Sequence, residues 1–144
     1  MKASHQPLCV LIIDEDRTMS DLLKMSLEQV QYEIIEAGTG AEGLEAVRKR
    51  TPDVIILDLP SPGLDSWHMC KAIREFSQAP ILVLSAFNKP SLVASTLDGG
   101  ADDFLLKPVA TDVLKAHLKR LTRRAQDEKE AAAKKKPLNK FACS

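Results

Sequence analysis

Acidic side chains follow two apolar runs of this sequence, where they could act together on a metal ion. The run LCVLII leads into Asp14, Glu15 and Asp16, and the run VIIL leads into Asp58. Carboxylates gathered in one place repel one another, and a divalent cation relieves that repulsion. The segment DED taken alone is equally consistent with a solvated acidic turn.

Two further reactive side chains end apolar runs. Ser85, with its hydroxyl, is the last residue of LVLS, and Lys107, with its ammonium, is the last residue of FLLK. Pro108 follows Lys107 and is well placed to be a cis proline that directs the lysine back toward the acids. Acids, one hydroxyl and one lysine around a hard metal ion form a phosphoryl-transfer site. In such a site an oxygen nucleophile is held in place and the charge on the phosphoryl oxygens is offset.

The elements that must position these residues alternate between strand and helix. Helices are expected where apolar residues recur with a period near 3.6, and Thr39 and Glu42 have the spacing of a capping box. Four of the five strand candidates lack in-out alternation or nearly so, as in a parallel sheet that is buried on both faces. The predicted strands are 8–13, 32–37, 53–57, 81–85 and 104–106, and the predicted helices are 18–30, 39–50, 65–76, 89–98 and one from about Thr111.

This order predicts an α/β fold, a doubly wound five-stranded parallel sheet with helices on both faces. Ligands of open α/β sheets bind outside the carboxyl ends of the strands. Asp58 is expected just past such an end, and at least two acids of the DED segment face it if the first and third strands are neighbours.

Composition excludes several other classes of protein. The chain of 144 residues is 44% hydrophobic, which fits one domain, and its apolar runs are too short to cross a bilayer, so we expect a cytoplasmic protein without membrane contact. Three widely spaced cysteines argue against disulfides and against a zinc site.

Residues 1–108 carry 10 Lys and Arg against 16 Asp and Glu, whereas residues 109–144 carry 10 against 4, so the body is acidic and the end basic. No aromatic residues are interleaved with those lysines, so this chain is not expected to bind nucleic acid directly.

Over residues 8–124 the sequence resembles a response-regulator receiver domain, the phospho-acceptor part of two-component signalling. The resemblance rests on the acid pair of IIDED, the acceptor strand VIILD with the following PGLD, the hydroxyl of LSA, and GADDFLLKP. Five dispersed matches in order are far more specific than one motif. The resemblance implies a flavodoxin-like fold and a sensor histidine kinase as partner.

The resemblance also implies a metal site for Mg²⁺ or Mn²⁺. Asp14 and Glu15 would hold the metal, one directly and one through water. Asp58 would ligate it as well, and the backbone carbonyl of Pro60 would complete the set. Glu15 replaces the more common second Asp of this family.

Asp58 would also accept the phosphoryl group, while Ser85 would hydrogen bond to it and Lys107 would form an ion pair with it. Ser85 and Phe104 are the expected switch pair, and Phe104 stands where Tyr is more common. The domain would catalyse only its own phosphorylation and a slow loss of the phosphoryl group, because Pro60 and Phe87 border the approach of water and neither can orient it.

The fifth helix and the residues after it resemble receivers of the winged-helix transcription-factor subclass, which pair through the surface of the fourth helix, fifth strand and fifth helix. Asp102 and Asp103 could face basic residues of a second copy across that surface, or pair within the chain. We expect three parts, a tail at 1–7, the receiver domain at 8–124, and a charged helical arm and tail at 125–144 that Pro137 interrupts. The linker-like arm favours a fragment of a longer chain with a missing output domain, which could bind DNA, over a single-domain regulator.

Two other functions fit parts of the pattern. A haloacid-dehalogenase-type phosphatase also uses an Asp nucleophile, Mg²⁺ and a Lys, but it requires a second Asp where this chain has Pro60. A pseudo-receiver that never takes phosphate is the alternative interaction module, and the intact set of site residues argues against it.

Overall fold

The computed structural model describes residues 8–28, 32–59 and 66–143, in which five strands alternate with five helices. The strands are β1 (Cys9–Ile13), β2 (Glu33–Ala37), β3 (Val54–Leu59), β4 (Ile81–Ser85) and β5 (Asp103–Leu106). The helices are α1 (Arg17–Glu28), α2 (Gly40–Arg50), α3 (Ser66–Arg74), α4 (Pro90–Asp98) and α5 (Thr111–Cys143). Within these residues no helix combines the length and hydropathy needed to cross a membrane.

The strands form one parallel sheet in the order β2-β1-β3-β4-β5. The doubly wound fold is therefore confirmed, and β1 and β3 are neighbours, with Ile13 opposite Leu57. The strand order reverses between these two strands, which is where open α/β sheets form their binding crevice.

The sheet is buried on both faces. One apolar cluster lies between the sheet and α2 and α3, and a second lies between the sheet and α1 and α5. Every residue of β3 and β4 is buried, which explains why these strands read as continuous apolar runs.

Two helix boundaries follow the predicted signals. The Thr39 hydroxyl accepts the backbone N–H of Glu42 at 3.1 Å, while the Glu42 carboxylate reaches the N–H of Gly38 rather than that of Thr39. After α4, Gly100 has φ +124°, a conformation that favours glycine, so the two glycines end the helix as expected.

Most boundaries lie within two residues of prediction, and two of the differences matter for the site and for the last helix. Strand β3 continues to Leu59, so Asp58 lies inside the strand and not beyond it, because β4 extends alongside and pairs Asp58 with Leu84. The prediction that Pro137 interrupts the last helix is wrong, since α5 continues to Cys143. A proline costs a helix one hydrogen bond, about 3 kcal/mol or more, and the surrounding lysines and alanines are strong helix formers.

Candidate functional site

Four of the residues singled out from the sequence meet at the carboxyl edge of the sheet. Asp14 follows β1 and is tied to β2 by its N–H, which donates to the carbonyl of Ala37 at 3.0 Å. Asp58 and Ser85 lie on the adjacent strands β3 and β4, and Lys107 follows β5. Asp14, Asp58 and Ser85 are each at most 3% exposed, so the sheet holds polar groups where water is excluded.

Lys107 binds Asp58 directly. Its backbone N–H donates to the carbonyl of Ser85 at 2.7 Å, and its peptide bond to Pro108 is cis, as predicted. The side chain then returns over the edge, and Nζ donates to Asp58 Oδ1 at 2.5 Å. The segment after β5 therefore supplies one positive charge to the Asp58 carboxylate.

Burial raises the pKa of both carboxyl groups at this edge. The pKa of Asp14 rises to about 6, mainly through burial, and the negative charges of Asp58 and Asp16 contribute. The N–H of Asp16, which donates to Asp14 Oδ1 at 2.8 Å, opposes this rise. The pKa of Asp58 is also raised by burial, while the hydrogen bond and charge of Lys107 oppose the rise. One ammonium thus offsets only part of the negative charge gathered here.

One oxygen of each buried carboxylate has no hydrogen-bond partner among the described residues, Oδ2 of Asp14 and Oδ2 of Asp58. An unpaired buried carboxylate oxygen is costly, and hard oxygen donors suit a divalent cation. The described ranges contain no group of three His, Cys, Asp or Glu side chains arranged to hold a metal. The two carboxylates therefore fit a metal as a partial set of ligands.

Residues 10–119 match the sequence profile of the response regulator receiver domain family. The chain belongs to this family. Receiver domains are regulatory rather than catalytic domains, and they bind a divalent metal at their phosphorylation site.

Three comparisons place the receiver domain among known proteins. It is 36% identical to the transcriptional regulatory protein AfsQ1 of Streptomyces coelicolor over 124 residues, which are 86% of this chain and 55% of that protein. The chain thus spans about half the length of this curated relative. A receiver domain from Methanospirillum hungatei superimposes with a TM-score of 0.79 at 22% identity, covering 85% of this chain and 98% of that one. A response regulator from Burkholderia pseudomallei was solved with a phosphorylated aspartic acid, a calcium ion and citrate. It superimposes with a TM-score of 0.72 at 23% identity, and the match covers 85% of this chain and 72% of that one.

The hydroxyl of Ser85 bonds to the backbone of Phe87 in this receiver domain. It accepts the N–H of Phe87 at 3.0 Å and donates to the carbonyl of Phe87 at 3.1 Å. Sequence reasoning could place Ser85 at the strand end but not the direction of its hydroxyl, because a serine followed by a turn bonds its own backbone readily.

The remaining predicted site residues have different outcomes. Phe104 is partly buried and packs against the cluster on the α2 and α3 face, and its role in a switch stays a prediction. Glu15 is exposed, and its role as a ligand stays a prediction. Pro60, the predicted carbonyl ligand, lies outside the described residues.

Asp16 was predicted only as one member of the acidic DED segment, without a role of its own, yet it contributes to the site. Its N–H fixes Asp14, and its charge raises the pKa of both Asp14 and Asp58. The signal was present as the third acid of IIDED, but a run of acids does not say which members contact one another.

Asp102 and Asp103, just before β5 and at its first position, form ion pairs within the chain. Asp103 Oδ2 contacts His117 Nδ1 at 2.5 Å and Arg120 at 2.7 Å, and Asp102 Oδ1 contacts Arg124 at 2.9 Å. Of the two alternatives that the sequence left open, the intramolecular one is realised in this structure. These contacts fix α5 against β5.

Asp14→Asn is expected to stabilise the metal-free receiver domain at neutral pH. A folded-state pKa of about 6, above the ordinary 3.8, means that ionised Asp14 costs stability above pH 6 and ceases to do so as the pH falls toward 4. Removing the charge should therefore raise the free energy of unfolding by about 1–2 kcal/mol at pH 7, after allowing for solvent screening, and by little near pH 4.

Urea unfolding in excess chelator at both pH values measures this difference, with the exposed Asp127→Asn as control. Added Mg²⁺ should stabilise the parent more than Asp14→Asn. A variant less stable than the parent at pH 7 without metal would contradict the electrostatic account.

Proposed function

We propose that this receiver domain is a phosphorylation switch, in which Asp58 takes a phosphoryl group from a sensor histidine kinase in a Mg²⁺-dependent reaction. One observation carries the proposal: a buried carboxylate is held by Lys107 beside a second buried carboxylate, and each has an unpartnered oxygen. That is the arrangement of a nucleophile with its charge compensation in place.

The chain's own residues perform most of the reaction. The ionised Asp58 carboxylate attacks phosphorus, so that an oxygen–phosphorus bond forms while the phosphorus–nitrogen bond of the donor phosphohistidine breaks. Lys107 holds Asp58 in place and then pairs with the phosphoryl oxygens. Asp14, Glu15 and Asp58 are the described residues that would hold Mg²⁺, which offsets charge on the phosphoryl oxygens when bound. Burial of the edge excludes the water that would compete with the nucleophile.

Phosphorylation becomes a signal through Ser85 and Phe104. The new phosphoryl oxygens are strong acceptors, so the Ser85 hydroxyl leaves the backbone of Phe87 and bonds to them. Phe104 then occupies the space behind Ser85, and the surface of α4, β5 and α5 changes. The output is a second domain or a partner, in transcription, because AfsQ1 is a transcriptional regulatory protein with about twice the length of this match.

Intact-mass measurement after incubation with a small acyl-phosphate donor tests the proposal. We expect one added phosphoryl group with Mg²⁺ or Mn²⁺ and none in excess chelator. An unchanged mass under all conditions would favour the pseudo-receiver.

The phosphorylated domain is expected to pair with a second copy. Three exposed apolar side chains lie on the proposed output surface, Leu97 of α4, Leu106 of β5 and Val113 of α5, at 43%, 45% and 46% exposure. A beryllofluoride mimic should promote a dimer, and Val113→Asp should weaken it at least tenfold. Sedimentation showing a monomer at high concentration with and without the mimic contradicts this.

The phosphoryl group on Asp58 is expected to be lost slowly. Phe87 follows the turn after Ser85 and cannot orient a water, and Pro60 borders the same approach by resemblance. Changing Pro60→Asn together with Phe87→Glu should speed first-order decay about tenfold, which is about 1.4 kcal/mol of barrier. The Phe87 backbone that binds Ser85 is unaltered in this variant. A double variant that decays no faster than the parent shows that these positions do not gate the water.

A further inference from the structure

The carboxyl-terminal end of α4 is anchored to α3 by a buried pair of hydroxyls. Thr96 Oγ1 lies 2.6 Å from Ser66 Oγ, and both residues are at most 2% exposed. The Thr96 hydroxyl also contacts the carbonyl of Leu92 at 2.8 Å as its donor, so Ser66 is the donor within the pair. Both hydroxyls are thereby satisfied away from water, and separating them would leave buried polar groups unpaired.

A second contact reinforces the same end. The ring N–H of Trp67 donates to Asp98 at 3.2 Å. Directly after α4, Gly99 is buried so closely against Trp67 that a Cβ atom there would lie 3.0 Å from its carbonyl oxygen and 3.1 Å from its ring. The backbone of α4 therefore touches α3 at this point.

Among the described residues, no side-chain hydrogen bond joins the amino-terminal end of α4 to another helix. Residues 86–91 are all exposed, and Lys89 caps the helix without a side-chain hydrogen bond. An open depression lies at this end, lined by Phe87, Ser91, Leu92 and Ser95 among others.

The exposed end is also the end nearest the phosphorylation site. Its connection to β4 is held by the two hydrogen bonds between the Ser85 hydroxyl and the backbone of Phe87. If Ser85 turns to a phosphoryl group, both bonds break, and the constraint is lost where α4 has fewest others.

We propose that α4 acts as a lever, which pivots about its contact with α3 at Ser66, Thr96 and Gly99 while its amino-terminal end moves when Asp58 is phosphorylated. This inference rests on the proposed function. It adds that Ser66 and Thr96 are positioning residues, because they decide which part of the output surface is displaced and which part stays fixed.

Amide hydrogen exchange with and without beryllofluoride, in Mg²⁺, distinguishes the two ends. The N–H of Val93 bonds to Lys89 at 3.0 Å near the free end, and the N–H of Gly99 bonds to Ser95 at 2.9 Å near the anchor. We expect the exchange rate of Val93 to change at least about fivefold and that of Gly99 less than about twofold. Fluorine NMR reports binding of the mimic independently. A bound signal with equal changes along α4 rejects the lever alone, whereas the absence of a bound signal rejects the proposed function and the lever with it.

Thr96→Val tests the anchor in the unmodified protein. Removing one hydroxyl of the pair should speed exchange at Gly99 about tenfold and leave Val93 unchanged. Thr96→Ser keeps the hydroxyl and should restore protection of Gly99, and the exposed Ser95→Ala should have no effect. With the mimic bound, Thr96→Val should extend the exchange change to Gly99. Exchange at Gly99 within about twofold of the parent in Thr96→Val overturns the anchor.

Discussion

Asp58→Asn is expected to abolish phosphorylation by a small acyl-phosphate donor, because asparagine keeps the size of the side chain and its contact with Lys107 but has no anionic oxygen. The assignment needs a test since Asp14 is equally buried and also has an unpartnered oxygen. The Lys107 ammonium distinguishes the two carboxylates, because it donates a hydrogen bond to Asp58 Oδ1 and so stabilises the charge of the proposed nucleophile.

Three variants make this experiment specific. Asp58→Asn should take up no phosphoryl group, Asp14→Asn should still be phosphorylated but at least tenfold more slowly in Mg²⁺, and the exposed Asp127→Asn should match the parent. Intact mass and the rate of mass gain give both quantities. Labelling that persists in Asp58→Asn, or is lost only in Asp14→Asn, would move the acceptor to the other carboxylate.

The convergence of these residues could be predicted from the sequence, because it depends on topology. Parallel strands end at one edge, so an acid after the first strand and an acid at the end of the third must meet once those strands pair. The continuous apolar runs of β3 and β4 likewise indicate that these strands are buried on both faces of the sheet. The cis peptide before Pro108 was likewise foreseeable from FLLKP.

Side-chain directions could not be predicted, because they depend on competing hydrogen bonds of similar energy. Ser85 has a backbone partner two residues away as well as the proposed phosphoryl group, and Asp103 could pair within the chain or across a dimer. The strand end at Leu59 depends on the length of β4 beside it rather than on the residues of β3. Pro137 shows the reverse error, a strong local signal that did not end the helix.

The pair of Lys107 and Asp58 is expected to show strong energetic coupling in the metal-free protein. Lys107→Met leaves the Asp58 carboxylate buried, 1% exposed at its side chain, beside the raised-pKa carboxyl of Asp14. Breaking a buried ion pair by removing one partner costs about 3–5 kcal/mol, and because the Lys107 side chain is 19% exposed we expect about 2–3 kcal/mol here. Asp58→Asn alone should cost little, because the remaining lysine can reach water. The double variant should therefore be more stable than Lys107→Met by about 1–3 kcal/mol.

The pH dependence of Lys107→Met separates electrostatics from packing. Without the ammonium, the pKa of Asp58 rises further above its ordinary value, so the folded state binds a proton more readily than the unfolded chain. The penalty is then largest when Asp58 is ionised and disappears as the pH falls through its folded-state pKa, whereas a loss of packing would persist at all pH values. Urea unfolding in chelator at neutral and acidic pH measures this loss of stability. The exposed pair of Lys49 and Glu45, whose charged groups are 2.8 Å apart, serves as the control, with an expected coupling energy below about 0.5 kcal/mol. Equal coupling energies in the two pairs would mean that Lys107 does not offset the negative charge of Asp58. The metal ion alone would then have to offset that charge.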